Sequence, residues 1–390
     1  MHSVNFVAAV LAVAGLASAQ STCTSDITIT QATPVINCDV VDADVTVDPN
    51  LGGSLSIEGP KQIKGNMIIN NATKLISVSS STINAIGGTL RLEGLQFLSN
   101  FNMQALKSVK SLEMINLSQL SGFTFGTSGV TKCSSINVQD TFISNLDGLN
   151  VATADNITIS NNRRLNSFDF SLENVTNTLS VVKNAASMQV RMSKLRMAGE
   201  LDFRSIKSFD APVLETANRV SFQESPELLS VSANNLSMIK DSLTFDNNKA
   251  LTNISFLALT KISGDMTIRN NTALLKINNF PQLMTIGSVL LAGSFNTVEI
   301  PKLNDIKGTV TVTSTTDISE FCGFFDGLKT KGAIQGKESC TSNNTKALTG
   351  GSGGTSGGKN GTSGDSAAMS IGVNAAMLGL AAAVGFAQLF

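Results

Sequence analysis

The sequence has no tryptophan, no tyrosine and a single histidine, His2, among its 390 residues. Only 15 % of the residues are charged, and 28 basic residues face 29 acidic ones, so the formal net charge is −1. A nucleic-acid-binding surface needs clustered basic side chains to neutralise phosphates, and no such cluster stands out. The common nucleophile–base pairings of hydrolases need an imidazole. The composition therefore argues against nucleic-acid binding and against most hydrolase chemistries.

A short pattern is copied along the chain. It is apolar at positions i, i+2, i+8 and i+11 and often has asparagine at i+4, as in Met266, Ile268, Asn270, Leu274 and Ile277. The first residues of the copies are Leu55, Met67, Leu90, Leu112, Ile136, Ile157, Leu179, Leu201, Val220, Leu243, Met266, Val289 and Val310. After a short first step the copies follow one another every ~19–24 residues, the period of leucine-rich and β-solenoid repeats. No ten-residue segment has a clean 3.6-residue period, so we predict coils made of strands.

The i+4 position follows the strand and has two conflicting interpretations. It could form a buried ladder of asparagines, with Asn71, Asn116, Asn161, Asn247 and Asn270 as its members. The same position also holds charged residues and glycines: Asp140, Lys183, Glu224, Gly59, Gly94 and Gly293. Because an unpaired buried charge is very costly and glycine favours left-handed backbone, we predict an exposed corner at this position.

The amino terminus has the pattern of a secretory signal peptide. An apolar run from Phe6 to Leu16 is followed by Ala17-Ser18-Ala19, the small-x-small motif of signal peptidase sites. The run is too short to span a membrane. We predict a signal peptide at residues 1–19 with cleavage after Ala19, which removes His2 from the mature chain.

The five cysteines lie at both ends of the repeats and at one place between them. Secretion permits disulfides, and the end coils of a solenoid need caps. We therefore predict the bonds Cys23–Cys38 and Cys322–Cys340, each worth roughly 3 kcal/mol in the chain-entropy model. Cys133 is predicted to be a buried thiol. The chain offers no C-x-x-C spacing for a metal site, and no metal or cofactor is predicted.

These features divide the chain into segments. We predict an N-terminal cap at 20–54, solenoid repeats at 55–325 and a C-terminal cap at 326–340. The repeat pattern is weakest near 179–218, where five basic residues accumulate: Lys183, Arg191, Lys194, Arg196 and Arg204. We favour a solvated edge for this segment; a boundary between two lobes and a binding face are the alternatives. The chain also contains nine glycosylation sequons: Asn71, Asn116, Asn156, Asn174, Asn235, Asn253, Asn270, Asn343 and Asn360.

The carboxyl terminus changes composition abruptly. Residues 341–364 are rich in glycine, serine and threonine, which is typical of a flexible stalk. Residues 365–390 end in an apolar tail that no basic residue follows, in contrast to a stop-transfer helix. We predict a glycosylphosphatidylinositol (GPI) signal with attachment at Gly364, or alternatively at Asn360; a tail-anchored helix is the competing interpretation.

Together, the signal peptide, the cysteine-capped coils, the sequons, the stalk and the terminal tail resemble the fungal GPI-anchored cell-wall organisation proteins, relatives of sporulation-specific wall proteins. The repeats of that family are similar to receptor L domains. The resemblance implies an all-β fold, a right-handed parallel β-helix or leucine-rich-repeat-like solenoid. It also implies a location at the cell surface, on the outer leaflet of the plasma membrane or in the wall, and a role in wall organisation and integrity.

Two functions remain open on the sequence. The first is a non-enzymatic scaffold or binding module that contacts wall polysaccharide or mannoproteins. The second is a polysaccharide-modifying enzyme, which needs paired carboxylates; Asp202, Glu224 and Asp246 lie on neighbouring coils but in different registers. We favour the scaffold and predict no catalytic residue.

Overall fold

The computed structural model describes residues 21–348. It is nearly all β, with 46 % strand and 4 % helix, and its parallel sheets form a solenoid of about 13 turns. The predicted β-solenoid is confirmed.

One main sheet of twenty strands runs through the described chain. Every strand is parallel to the neighbours with which it pairs. The bounds of its strands are β1 Thr22–Cys23, β2 Ile27–Ile29, β3 Val40–Val41, β4 Val45–Val47, β6 Gln62–Ile63, β7 Met67–Asn70, β9 Ala85–Glu93, β11 Ser108–Leu117, β13 Ser135–Thr141, β14 Thr153–Ser160, β16 Asn174–Val182, β18 Met197–Arg204, β20 Thr216–Gln223, β22 Met238–Ile239, β23 Leu243–Asp246, β25 Lys261–Arg269, β27 Thr285–Gly293, β29 Asp305–Ile306, β30 Val310–Ser314 and β31 Glu338–Thr341.

Shorter sheets form another side of the solenoid. One contains β5 Gly53–Ser56, β8 Leu75–Ser80, β10 Asn100–Met103 and β12 Thr124–Phe125. A second contains β15 Ser167–Asp169, β17 Gln189–Arg191, β19 Ser208–Asp210, β21 Ser230–Ser232 and β24 Asn253–Ser255. A pair, β26 Lys276–Ile277 and β28 Thr297–Val298, continues along the later coils.

The register explains the repeat. Val45 lies beside Met67, and the first-strand positions from Met67 onward stack in one buried column. Leu55 was predicted to begin this column, and that prediction is wrong: Leu55 pairs with Val78 in the shorter sheet. Both residues are apolar and buried, so the linear pattern could not distinguish the two sheets.

Glycines mark the place where the main-sheet strands bend. A Cβ atom on Gly287 would lie 2.4 Å from the carbonyl oxygen of Gly264, and one on Gly336 would lie 2.4 Å from that of Gly308. Real Cβ atoms do not approach so closely, so glycine permits the tight approach of successive coils here.

Both ends of the solenoid carry a disulfide. The structure bonds Cys23 to Cys38 and Cys322 to Cys340, and it leaves Cys133 as a buried thiol. The second bond links β31 to the helix α1, Ser319–Thr330, which buries Phe321, Phe325 and Leu328.

The structure differs from the predicted segments in two respects. The helix α1 was not predicted, although its buried residues follow a helical spacing, and it begins earlier than the predicted cap at 326–340. The segment predicted as an N-terminal cap, 20–54, already contributes β1 to β4 to the main sheet. Residues 179–218 contain β18 and β20, which continue the main sheet without interruption. Within residues 21–348, no helix has the length and apolar character that a bilayer crossing requires.

Candidate binding face

The corner after each main-sheet strand has the predicted left-handed backbone. Among residues 21–348, ten residues other than glycine have a positive φ. Nine of them stand at i+4 in the repeat: Asn71, Asn116, Asp140, Asn161, Lys183, Ser205, Glu224, Asn247 and Asn270. The tenth, Asn343, follows β31. Most of these side chains are exposed, and those of Ser205 and Asn270 are half-buried. Gly59 and Gly94 also have a positive φ, but only Gly59 is exposed, because Gly94 is buried. Gly293 is buried and has no positive φ. The exposed corner is confirmed, with Gly94 and Gly293 as exceptions.

A buried polar ladder nevertheless exists, one residue beyond the corner. The Oδ1 atom of Asn248 accepts the N–H of Ser225 at 3.1 Å, and Asn271 Oδ1 accepts the N–H of Asn248 at 2.9 Å. The side-chain amide of Asn248 donates to the carbonyl oxygen of Phe222 at 2.9 Å. Each side chain thus satisfies backbone groups that the corner leaves unpaired.

A second ladder occupies the same position in earlier coils. Asn162 Oδ1 accepts the N–H and the hydroxyl of Thr141, at 3.1 and 2.6 Å, and Asn184 Oδ1 accepts the N–H of Asn162 at 3.1 Å. The two ladders are separated by the coil that places Ile206 at this position. The alternative of a buried ladder at i+4 is therefore wrong, because the buried asparagines stand one residue later, at i+5. The repeated Asn-Asn pairs at 161–162, 247–248 and 270–271 were the available signal for this second position.

The predicted sequons lie on several sides of the solenoid. Asn71 and Asn116 are exposed at the corner, and Asn343 is exposed beyond the last strand. Asn235 and Asn253 are exposed after β21 and on β24, while Asn156 is exposed on β14 and Asn174 is half-buried at the start of β16. Ala19, Asn360 and Gly364 lie outside the described residues.

The outer face of the main sheet carries two side-chain columns from β13 to β30, which we call the polar strip. Its first column consists of Asn137, Thr158, Ser180, Asp202, Ser221, Thr244, Thr267, Leu290 and Thr311. Its second column consists of Gln139, Ser160, Val182, Arg204, Gln223, Asp246, Arg269, Ala292 and Thr313. The residues between the columns, such as Val138 and Ile159, point inward and are buried, so both columns lie on the outer face, where Ser221 alone among their members is buried.

The charges of the polar strip are balanced and paired. Its four charged residues are two aspartates and two arginines. Arg269 Nη2 lies 2.7 Å from Asp246 Oδ2, and Arg204 Nε lies 3.5 Å from Asp202 Oδ1. The strip therefore carries no net charge.

The carboxylates considered for catalysis are not assembled into a site of three. Asp202 and Asp246 belong to the polar strip and are ion-paired, whereas Glu224 stands at a corner. Glu224 and Asp246 do line one shallow depression, together with Asn247, Lys249 and Asn270. The predicted basic cluster near 179–218 is also dispersed: Lys183 is at a corner, Arg191 is on β17, and Arg196 pairs with Glu215 at 2.6 Å.

A larger cleft, of about 710 Å³, lies between α1 and the preceding coil. Glu299, Asp317 and Glu320 line it together with Ile300 and Phe324. Hydrogen bonds from Ser319, and from Ser342, hold the pKa of Asp317 below its usual value. The lowered pKa keeps Asp317 ionised at neutral pH, so this cleft can accept hydrogen bonds from a ligand.

Comparisons with known proteins place the chain in a family. It is 32 % identical over 344 residues to the cell surface GPI-anchored protein ECM33 of Candida albicans, which covers 85 % of this chain and 81 % of that protein. It is 30 % identical over 355 residues to a cell surface GPI-anchored protein of Arthroderma benhamiae, with 90 % of each chain covered. It is 29 % identical over 321 residues to the protein ecm33 of Aspergillus fumigatus, covering 82 % of this chain and 80 % of that one.

The fold and these relatives define a class, the β-solenoid proteins of the fungal cell surface. Within that class, the chain belongs to the Ecm33 family of cell-surface and cell-wall proteins, which confirms the resemblance seen in the sequence. No family model and no solved structure matches the chain.

Proposed function

We propose that this protein is a GPI-anchored, N-glycosylated scaffold of the fungal cell surface that helps to organise the wall without catalysing a reaction. The observation that carries this proposal is the unbroken main sheet, whose outer face extends along the described solenoid. The names of the relatives, which are cell-surface and cell-wall proteins, support the same role and location. The partners we propose are wall polysaccharide or mannoproteins.

The position of Glu338, a carboxyl group with a raised pKa, supports a non-enzymatic role. A glycoside hydrolase needs one carboxylic acid with a raised pKa close to a second carboxylate. Burial, and then the neighbouring charge of Asp326, raises the pKa of Glu338. Neither Glu338 nor Asp326 lines the cleft beside α1, so this pair does not flank the substrate-sized space.

Complementation of a wall-defective deletion strain tests the role. We expect a variant with Glu224→Gln, Glu299→Gln and Glu320→Gln to complement fully, because a scaffold does not need acid–base groups in its clefts. An enzyme that uses them would lose roughly 10²–10⁴-fold in rate. Loss of complementation by a variant that still reaches the surface with unchanged circular dichroism would contradict the scaffold and favour the polysaccharide-modifying enzyme.

The anchor is tested separately. Deleting residues 375–390 should release the protein into the medium, because a GPI signal works through its apolar tail. If the truncated protein stays on the cell surface, another element retains it. A matched deletion of residues 351–358 in the stalk, which leaves the tail in place, should not release the protein.

A further inference from the structure

The structure assigns a ligand class to one surface: we infer that the polar strip binds a neutral polysaccharide chain that lies along the solenoid axis. This inference deepens the proposed function and rests on it. It is carried by the side chains of the strip, by their charge balance and by the position of the sequons around it.

The polar strip offers hydrogen-bonding groups in a regular array. Eleven of its eighteen side chains carry a hydroxyl or an amide, and four more form the two ion pairs. Neighbouring parallel strands are about 4.8 Å apart, so nine strands extend the array over roughly 38 Å. An extended polymer that repeats every few ångströms matches such an array better than a compact ligand does.

Several of these groups are available to a ligand. Within the described residues, the hydroxyls of Thr158, Ser160, Thr244, Thr267 and Thr311 have no hydrogen-bond partner. A hydroxyl both donates and accepts, so a column of hydroxyls can follow a row of sugar hydroxyls without requiring one fixed polarity. Threonine also loses little rotamer freedom on binding, because its side chain is short and β-branched.

The charge of the strip excludes other partner classes. Its aspartates and arginines cancel, so it attracts neither a polyanion nor a polycation. The large apolar side chains that are exposed elsewhere, such as Phe97, Phe142 and Leu229, lie outside it. A protein–protein interface would be expected to have an apolar or aromatic centre. A neutral, hydroxyl-rich polymer fits the strip better than a protein surface does.

The sequons leave the strip uncovered. None of its eighteen positions is the asparagine of a sequon. Asn156 precedes the first column on β14, and Asn270 follows the second column at the corner beyond β25. Glycans at these borders would stand on either side of the strip and leave its centre open.

Added glycans provide a direct test. Gln139→Thr completes a sequon at Asn137, and Thr311→Asn completes a sequon with Thr313, so each single substitution places a glycan inside the strip. Lys249→Thr completes a sequon at Asn247, which is exposed at the corner, and serves as the matched control. Gln139→Val and Thr311→Val change the same side chains without adding a glycan.

The full chain, produced in a glycosylating host, would be sedimented with particles of β-1,3-glucan. We expect the wild type and the Lys249→Thr control to bind equally, and each glycosylated strip variant to bind at least tenfold more weakly than the wild type. The two valine variants each lose one hydrogen-bonding side chain of the strip, so their binding should fall by less than tenfold and stay stronger than that of the matched glycosylated variants. Peptide mass spectrometry would establish that the new sequons are occupied, and trimming the glycans to one sugar should restore binding.

Two outcomes would overturn the inference. If strip variants with occupied sequons bound the glucan as tightly as the wild type, the strip would not be the contact surface. If the wild type did not bind the glucan, the assigned ligand class would be wrong. Complementation by the same variants separates this inference from the proposed function. If added glycans abolish complementation while the wild type binds no glucan, the strip contacts a protein and the scaffold role stands.

Discussion

Two adjacent asparagines, Asn247 and Asn248, allow the buried ladder to be tested against the exposed corner. Asn248→Ala would remove the acceptor of the Ser225 N–H and the donor to the Phe222 carbonyl, both in a buried setting. Each unsatisfied buried group costs about 1–3 kcal/mol, so the loss of two partners should lower the free energy of unfolding by about 2–6 kcal/mol. Asn247→Gly keeps the left-handed backbone, whose φ is 59°, and should change that free energy by less than about 1 kcal/mol.

Urea denaturation followed by far-ultraviolet circular dichroism would measure both variants, because the chain lacks tryptophan and tyrosine for fluorescence. Solenoid coils contact mainly their neighbours, so the loss in Asn248→Ala should be accompanied by faster hydrogen exchange in β20 and β23. If Asn247→Gly destabilised the protein as much as Asn248→Ala, the ladder would not have the role that its hydrogen bonds indicate.

Two further predictions concern the glycine bend and the cysteines. Gly287→Ala should destabilise the protein by a few kcal/mol, because its Cβ would meet the Gly264 carbonyl oxygen. Gly323→Ala in α1, where a Cβ meets nothing within 4 Å, should be neutral or stabilising by up to about 1 kcal/mol. Thermal unfolding would contradict this explanation if Gly323→Ala lowered the melting temperature more than Gly287→Ala. Thiol titration of the unreduced protein should find a single free thiol, Cys133. This thiol should react slowly at neutral pH until the protein is denatured, because burial raises the pKa of Cys133 to about 11. Two or more free thiols would refute the disulfide pairing.

The sequence determined the features that depend on local spacing. The alternation of Met266, Thr267 and Ile268, repeated about every twenty residues, predicts a coil made of strands. One coil cannot bury its apolar side chains without neighbours, so the repetition also predicts that the coils stack. The exposed corner also followed from the sequence, since Lys183 and Glu224 share a position with asparagines and only an exposed left-handed turn accommodates all of them.

The tertiary structure decided what depends on contacts between coils. Asn247 and Asn248 are chemically identical, and only the bend of the chain turns one outward and the other toward backbone groups of the preceding coil. Leu55 and Met67 have the same alternating pattern, yet they belong to different sheets, because Met67 pairs with Val45 of the main sheet and Leu55 pairs with Val78 of the shorter sheet. The polar strip likewise combines residues far apart in the sequence, such as Asn137 and Thr311. A periodic pattern specifies which side chains of a coil point inward, but not which outward-facing side chains of different coils become neighbours.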